Sequence, residues 1–357
     1  MSRRGLTFGL AGLLLAILVV LATLLPVPYV VLVPGPVTDT LGSIPGRQQG
    51  TTTPVVSVSG ADTYPTGGHI YLTTVGVVPA SCDNHPTLLQ TLRAWFDKSE
   101  AVEPMQVQCP PGESSDQVQK GNENDMAQSQ RDAITAALLQ LGYATTERKL
   151  LVTEVSSDVP AAKVLEAGDA VVAIDGHPVN GLAPLRAQLA THKPGDSVSL
   201  TIERGGTRKD VSVKTVAAPG TDRAIIGFTP DLRATFKDVH VKIGIDPADV
   251  GGPSAGLAFT LGIVDQLTPG ELTGGKTVAV TGTMNGFGQV GPIGGIQQKI
   301  AGAKAAGATV FLAPASECED ARAVAPSSMT LVKVTTLKGA LDALAAINNH
   351  STSFPHC

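Results

Sequence analysis

The longest apolar stretch of the chain comes first. Residues 6–25 carry no charge. At about 1.5 Å of rise per helical residue they span roughly 30 Å, the thickness of a bilayer core. The apolar part of a cleaved signal peptide is shorter, roughly 7–15 residues, and ends in a small-x-small site. Here the run leads instead into Leu25-Pro26-Val27-Pro28. The pattern predicts an uncleaved transmembrane signal anchor. Arg3 and Arg4 precede it, placing the N-terminus in the cytoplasm and the bulk of a single-pass cell-membrane protein outside.

Beyond the anchor the periodicity alternates between strand and helix. Runs rich in Val, Ile, Tyr and Thr at 55–58 and 69–78 predict strands. Residues 79–124 are polar and turn-rich and read as an excursion. A helical pattern follows at 126–141, with apolar Ala133, Ile134, Ala137, Leu138 and Leu141, and Gly142 as its stop. From about 149 to 216 short strands at 150–155, 170–174, 197–202 and 210–213 are separated by turn dipeptides such as Asp175-Gly176 and Gly205-Gly206. One helix, 182–191, interrupts them. Residues 225–348 alternate again, with strands at 239–245, 277–281 and 309–312 and helices at 254–266, 296–306 and 337–347. The fold class is therefore α+β. The predicted units are 1–28 (cytoplasmic tip and anchor), 29–148, a β-rich unit 149–216, an α/β unit 225–348 and a tail 349–357.

Composition narrows the function classes. The chain is 43% hydrophobic and 16% charged, which excludes a disordered chain. A net charge of −5 provides no basic footprint, so no nucleic-acid partner is expected. The seven histidines form no HExxH and there is no CxxC, so no metal site is expected. The four cysteines, Cys82, Cys109, Cys318 and Cys357, are an even number in a segment placed outside the cytoplasm, which favours disulfides. Three pairings are possible. Cys82 with Cys109 closes the shortest loop and costs least, leaving Cys318 with Cys357 to pin the tail.

Three motifs overlap in one stretch. Gly270-Glu271-Leu272-Thr273-Gly274-Gly275-Lys276-Thr277 matches the phosphate-binding G-x-x-x-x-G-K-[ST]. That loop needs a strand before it and a helix after it, and the predicted order here is reversed. No nucleotide is expected. Gly252-Pro253-Ser254-Ala255-Gly256 matches the G-x-S-x-G of Ser-His-Asp hydrolases. The only histidines downstream of it are His350 and His356, in the tail. The third reading is a serine–lysine pair. Ser254 stands at a predicted helix start beside Pro253, where unpaired N–H groups and the helix dipole favour a developing oxyanion. Gly252 and Gly256 would let a substrate backbone approach. A desolvated lysine can be the base, because burial lowers its pKa. Lys299 and Lys304 flank the apolar stripe Ile296, Ile300, Ala303, Gly307 at similar angles, and spacing leaves both open.

Two resemblances add to this reading. Val159-Pro160-Ala161-Ala162, Ala167-Gly168-Asp169-Ala170 and Ile174-Asp175-Gly176 with His177-Pro178-Val179 resemble the core of bacterial PDZ domains, which bind peptides at a sheet edge. No Gly-Leu-Gly-Phe-type loop is found in that unit. The blocks Gly252–Ala258 (GPSAGLA), 280–283 (VTGT) and 288–299 (GQVGPIGGIQQK) resemble the Lon proteolytic domain. That resemblance implies Ser254 as nucleophile, Lys299 as base and Thr281 as support for the lysine. The family's glutamate after Thr-Gly is Thr283 here, and no ATPase module precedes the unit. The order of segments is similar to membrane-anchored PDZ-containing Lon-like proteins. It implies that strands near 55–78 and helix 126–141 belong with the proteolytic domain, with the PDZ unit inserted. The expected activity is ATP-independent cleavage of proteins or peptides without a cofactor, in a homo-oligomer that is hexameric by analogy. A catalytically weak PDZ scaffold or chaperone, a Ser-His-Asp hydrolase, or a protein that cuts only itself, is the alternative.

Overall fold

The computed structural model describes residues 3–357. Helix α1 (Arg3–Leu24) comes first, and its stretch Thr7–Leu24 is long and apolar enough to cross a membrane. The chain then enters β1 (Tyr29–Asp39), a strand that the sequence pattern hid behind Pro34 and Pro36. Its pairing register shifts between Pro34 and Val37, which is how a strand absorbs residues unfit for a regular ladder. Then come β2 (Val56–Ser59) and β3 (His69–Val78). The polar excursion holds more structure than its composition suggested: helix α2 (Leu88–Phe96) and strand β4 (Ala101–Pro104). Helix α3 (Ser115–Gln140) starts eleven residues before the predicted 126, at a Ser114–Gln117 capping box. Its first three turns are mostly polar and exposed, with Val118 their one apolar side chain, so they carry no apolar stripe; its buried residues begin at Met126.

The inserted unit is built from β5 (Thr145–Val155), β6 (Ala170–Ile174), helix α4 (Leu182–Leu189), β7 (Ser197–Arg204), β8 (Thr207–Lys214) and β9 (Phe228–Phe236). The strands form an antiparallel sheet in the order β8-β7-β6-β5-β9. A core including Leu150, Ile174, Leu200, Ile202 and Ile226 is separate from that of the rest of the chain. Asp169 of the Ala-Gly-Asp motif is buried and accepts from Arg204 Nε at 2.6 Å and from Glu166 N at 2.9 Å. Strand β9 interleaves Pro230, Asp231 and Arg233 among its apolar residues, which masked it in the sequence.

The chain returns to the first unit through β10 (His240–Ile243), which pairs with β2. Helix α5 (Gly256–Leu267), β11 (Thr277–Val280), the short strands β12 (Thr283–Met284) and β13 (Val290–Gly291), and helix α6 (Ile296–Ala305) follow. The remaining elements are β14 (Val310–Pro314), α7 (Cys318–Val324), β15 (Thr330–Val334) and α8 (Leu337–Asn348). The main sheet runs β15-β14-β11-β3-β1-β4 and so interleaves strands from both ends of the chain. Eleven of the twelve α5 residues are buried, most of them apolar, with Thr260 and Asp265 as buried polar exceptions. Its core draws in Ile70 and Leu72 of β3 and Met126 and Ala133 of α3. The β-rich domain is thus inserted between α3 and β10. Disulfides join Cys82 to Cys109 and Cys318 to Cys357, and the second fixes a tail that also bonds β15, Lys333 N to Pro355 O.

Candidate active site

The Gly270–Thr277 match lies in the turn between α5 and β11, helix first and strand second. Thr273 Oγ1 donates to Gly67 O at 2.6 Å, so the turn is packed against the chain before β3. Its order is the reverse of what a phosphate-binding loop requires.

The turn that carries Ser254 is held from two directions. From α3, Ser129 Oγ donates to Pro253 O at 3.0 Å, and Asn122 O accepts from Gly252 N at 2.9 Å. On the other side, Gly282 N donates to Ser254 O and Leu257 N donates to Gly282 O, both at 3.1 Å. Ser254 itself sits in the turn, and α5 begins two residues later, at Gly256, rather than at Ser254. Gly252 has φ +85°, in the left-handed region that glycine adopts without cost. Gly256 faces away from the cleft: a Cβ there would lie 2.7 Å from Met284 Cβ. Its missing side chain admits β12 against the start of α5, which differs from the substrate approach expected of it.

Helix α6 brings Lys299 to the same point. Lys299 is 3% exposed, with Nζ 2.8 Å from Ser254 Oγ and 3.0 Å from Thr281 Oγ1. Thr281 is fully buried at the end of β11. Lys304, which spacing left as an equal candidate, is exposed. Burial pushes the Lys299 amine down from 10.5 to about 8, against the opposing pull of the Glu317 carboxylate. Glu317 follows β14 and also accepts from Ile293 N at 3.4 Å. Ser254 and Lys299 open into a cleft of about 720 Å³, walled by β1, β3 and the excursion residues Glu103, Val107 and Gln108. Its lining includes no histidine; His350 and His356 lie in the tail.

Sequence reasoning missed Asn122, Ser129 and Glu317. Each reaches the site from a distant part of the chain, so no local spacing marks it. It also missed a pair of buried carboxyl groups close by. Asp132 of α3 and Asp231 of β9 line a second cavity, which shares Pro253 and Thr283 with the cleft. Gln128 Nε2 donates to Asp132 Oδ1 at 2.5 Å, and Gly286 N donates to Asp231 Oδ1 at 2.8 Å. Burial and the neighbouring Asp231 hold the Asp132 carboxyl well above the usual carboxylate range. In the inserted domain a groove of about 220 Å³ runs between α4 (Leu182, Leu185, Leu189) and Ile226-Gly227-Phe228. This hydrophobic-Gly-Phe stretch leads into the edge strand β9 and falls beyond residue 216, outside the unit expected at 149–216.

Comparison with known proteins gives two family matches along the chain. Residues 128–215 match the PDZ domain model, and residues 220–346 match the model of the Lon protease (S16) C-terminal proteolytic domain. The second match encloses Ser254, Thr281 and Lys299. The boundaries differ from the fold at two places: 128–140 belongs to α3, and β9 completes the PDZ sheet. The Lon protease of Phenylobacterium zucineum (strain HLK1) is 32% identical over 162 residues, 44% of this chain and 20% of that protein. The periplasmic pH-dependent serine endoprotease DegQ of Escherichia coli (strain K12) is 33% identical over 116 residues, 30% of this chain and 26% of DegQ. The chain thus spans about a fifth to a quarter of the length of these relatives. Among solved structures, the PDZ domain of the SdrC-like protein from Listeria monocytogenes aligns with 31% identity, covering 23% of this chain and 85% of that one, at a TM-score of 0.22. The chain carries a PDZ domain and a Lon-type proteolytic domain.

Proposed function

We propose that this chain, a Lon-type proteolytic domain with a PDZ domain set inside it, is a membrane-held serine endopeptidase that cleaves extracytoplasmic polypeptides without ATP. The observation that carries the reading is the 2.8 Å approach of a buried Lys299 Nζ to Ser254 Oγ. A neutral lysine accepts the Ser254 proton as Oγ attacks the peptide carbonyl. The backbone N–H groups of Ser254 and Ala255, at the positive end of α5, receive the oxyanion. The Lys299 ammonium then returns its proton to the departing amine. Water, deprotonated by the same lysine, hydrolyses the acyl-enzyme and restores the serine. Thr281 Oγ1 holds the amine in line throughout. Helix α1 is the anchor in this reading. The groove between α4 and β9 is the peptide-binding surface, where an extended chain would add to the free edge of β9.

The test is turnover of an unfolded polypeptide by the full-length chain in the absence of nucleotide. Ser254→Ala should abolish it, and so should Lys299→Arg, since arginine stays charged. Stoichiometric binding without turnover would favour a PDZ scaffold, and a single self-cleavage would favour an autoprocessing protein. Undiminished activity in either variant would remove the Ser–Lys assignment.

A further inference from the structure

Helix α2 presents three faces. Thr91 and Ala94 turn inward, 4% and 1% exposed, and Gln90 and Arg93 form a polar exposed side. The remaining arc carries Leu88, Leu89, Leu92, Trp95 and Phe96. At about 100° per residue these five fall within roughly 120° of the helix. Trp95 is 69% exposed and Phe96 85%, with Leu89 and Leu92 also open. A contiguous apolar face of this kind marks a contact surface, because leaving it in water forgoes its transfer free energy.

The position of α2 identifies what covers that face. Its first turn is bonded to the foot of α1: Leu88 N donates to Leu25 O at 2.9 Å, and Val27 N donates to Pro86 O at 3.0 Å. The Thr87–Gln90 capping box fixes the helix start at that junction. Helix α1 itself is bare along Thr7–Leu24, with mean hydropathy 2.5 and none of that stretch buried in the protein. Helix α2 therefore begins where α1 would leave a bilayer, the depth at which tryptophan is favoured. Charge around the face is mixed, with Arg93 and Lys98 near Asp97 and Glu100. Apolar burial, rather than attraction to anionic lipid, is the force available.

We infer that α2 is an interfacial membrane helix whose Leu89, Leu92, Trp95 and Phe96 face lies at the headgroup–acyl boundary beside α1. This rests on the reading of α1 as a membrane span. It also sets the catalytic cleft close to the bilayer. The excursion closed by Cys82–Cys109 carries α2 and the cleft-wall residues Glu103, Val107 and Gln108, and Ser99 O accepts from Gln298 Nε2, next to Lys299, at 3.3 Å.

Trp95 is the only tryptophan in the chain, so its fluorescence reports this face alone. The full chain would be reconstituted into phosphatidylcholine vesicles containing lipids brominated either near the headgroup or deep in the acyl chain. The expected result is a loss of Trp95 emission with shallow bromines, a weaker loss with deep ones, and protection from aqueous iodide. Phe96→Glu should shift the emission to the red and restore quenching by iodide, with peptide hydrolysis retained. Adding salt should change none of this. Trp95 open to iodide and untouched by bromolipid would overturn the inference. Trp95 shielded from both would also overturn it, by showing a protein partner or a second copy on the face. Alkaline carbonate extraction of the same vesicles tests the anchor separately. A chain that is retained but unquenched loses the interfacial helix alone, and a chain that is extracted loses the membrane reading as well.

Discussion

Lys299 should weaken the fold it serves. Its amine titrates near 10.5 when unfolded and at about 8 in the folded chain. The gap of about 2.5 pH units, at about 1.36 kcal/mol each, corresponds to roughly 3 kcal/mol. The sign follows from which state binds the proton. Below pH 8 both states carry the charge, and the fold bears the full cost of burying it. Between the two values the folded chain sheds its proton while the unfolded chain keeps it, so stability rises with pH. Above about 10.5 the cost is gone. Lys299→Met keeps the bulk and removes the ionisation. It also removes the contacts to Ser254 and Thr281, a loss of about 1 kcal/mol for each. The variant should therefore be inactive yet more stable at pH 7 by about 1 kcal/mol, the difference of those effects. That advantage should shrink and reverse as pH approaches 10.5. Urea denaturation followed by circular dichroism at pH 7 and pH 10 reads both values. Equal effects at the two pH values, or a less stable variant at pH 7, would show that Lys299 carries no buried charge. In the proposed mechanism the same shift makes Lys299 available as base: at pH 7 about one lysine in ten is neutral, against about three in ten thousand at the ordinary value.

Glu317→Gln removes the negative charge that favours the Lys299 ammonium. The rising limb of kcat/KM should move to lower pH and activity at pH 7 should increase; an unmoved limb would show that Glu317 does not act on the lysine. Asp132 has a raised folded pKa, so the folded chain binds its proton more tightly and stability falls as pH rises from about 4 through that raised value. Asp132→Asn should flatten this slope in urea midpoints taken across the range, and an unchanged slope would mean that the carboxyl is ionised in the fold.

The parts of the molecule legible in the sequence are those whose signal is local. The largely apolar α5, the β-branched β3 and the Ala-Gly-Asp turn of the PDZ domain announce themselves in a few residues. Ser254 does so too, as a glycine-flanked serine before a helix. Other features depend on partners far along the chain. Lys299 and Lys304 flank the same stripe, and only the packing of α6 against the Ser254 turn distinguishes them. Ser129 and Asn122, which hold that turn, sit more than a hundred residues upstream on a helix whose first half reads as a polar loop. Strand β9 was obscured by Pro230 and its charges, and with it the Ile226-Gly227-Phe228 rim of the PDZ groove. Helix α2 was overlooked because nine residues inside a polar excursion are too few to stand out, although its Trp95 and Phe96 are the most exposed aromatic pair beyond α1 among the described residues.

The most direct test of the Ser254–Lys299 assignment is the rate at which a fluorophosphonate labels the full-length chain as a function of pH, with the modified residue located by mass spectrometry. The expected result is a single adduct on Ser254, a rate reaching half its maximum at about 8, and no labelling in Lys299→Arg. An adduct on another residue, or undiminished labelling of Ser254 in that variant, would contradict it.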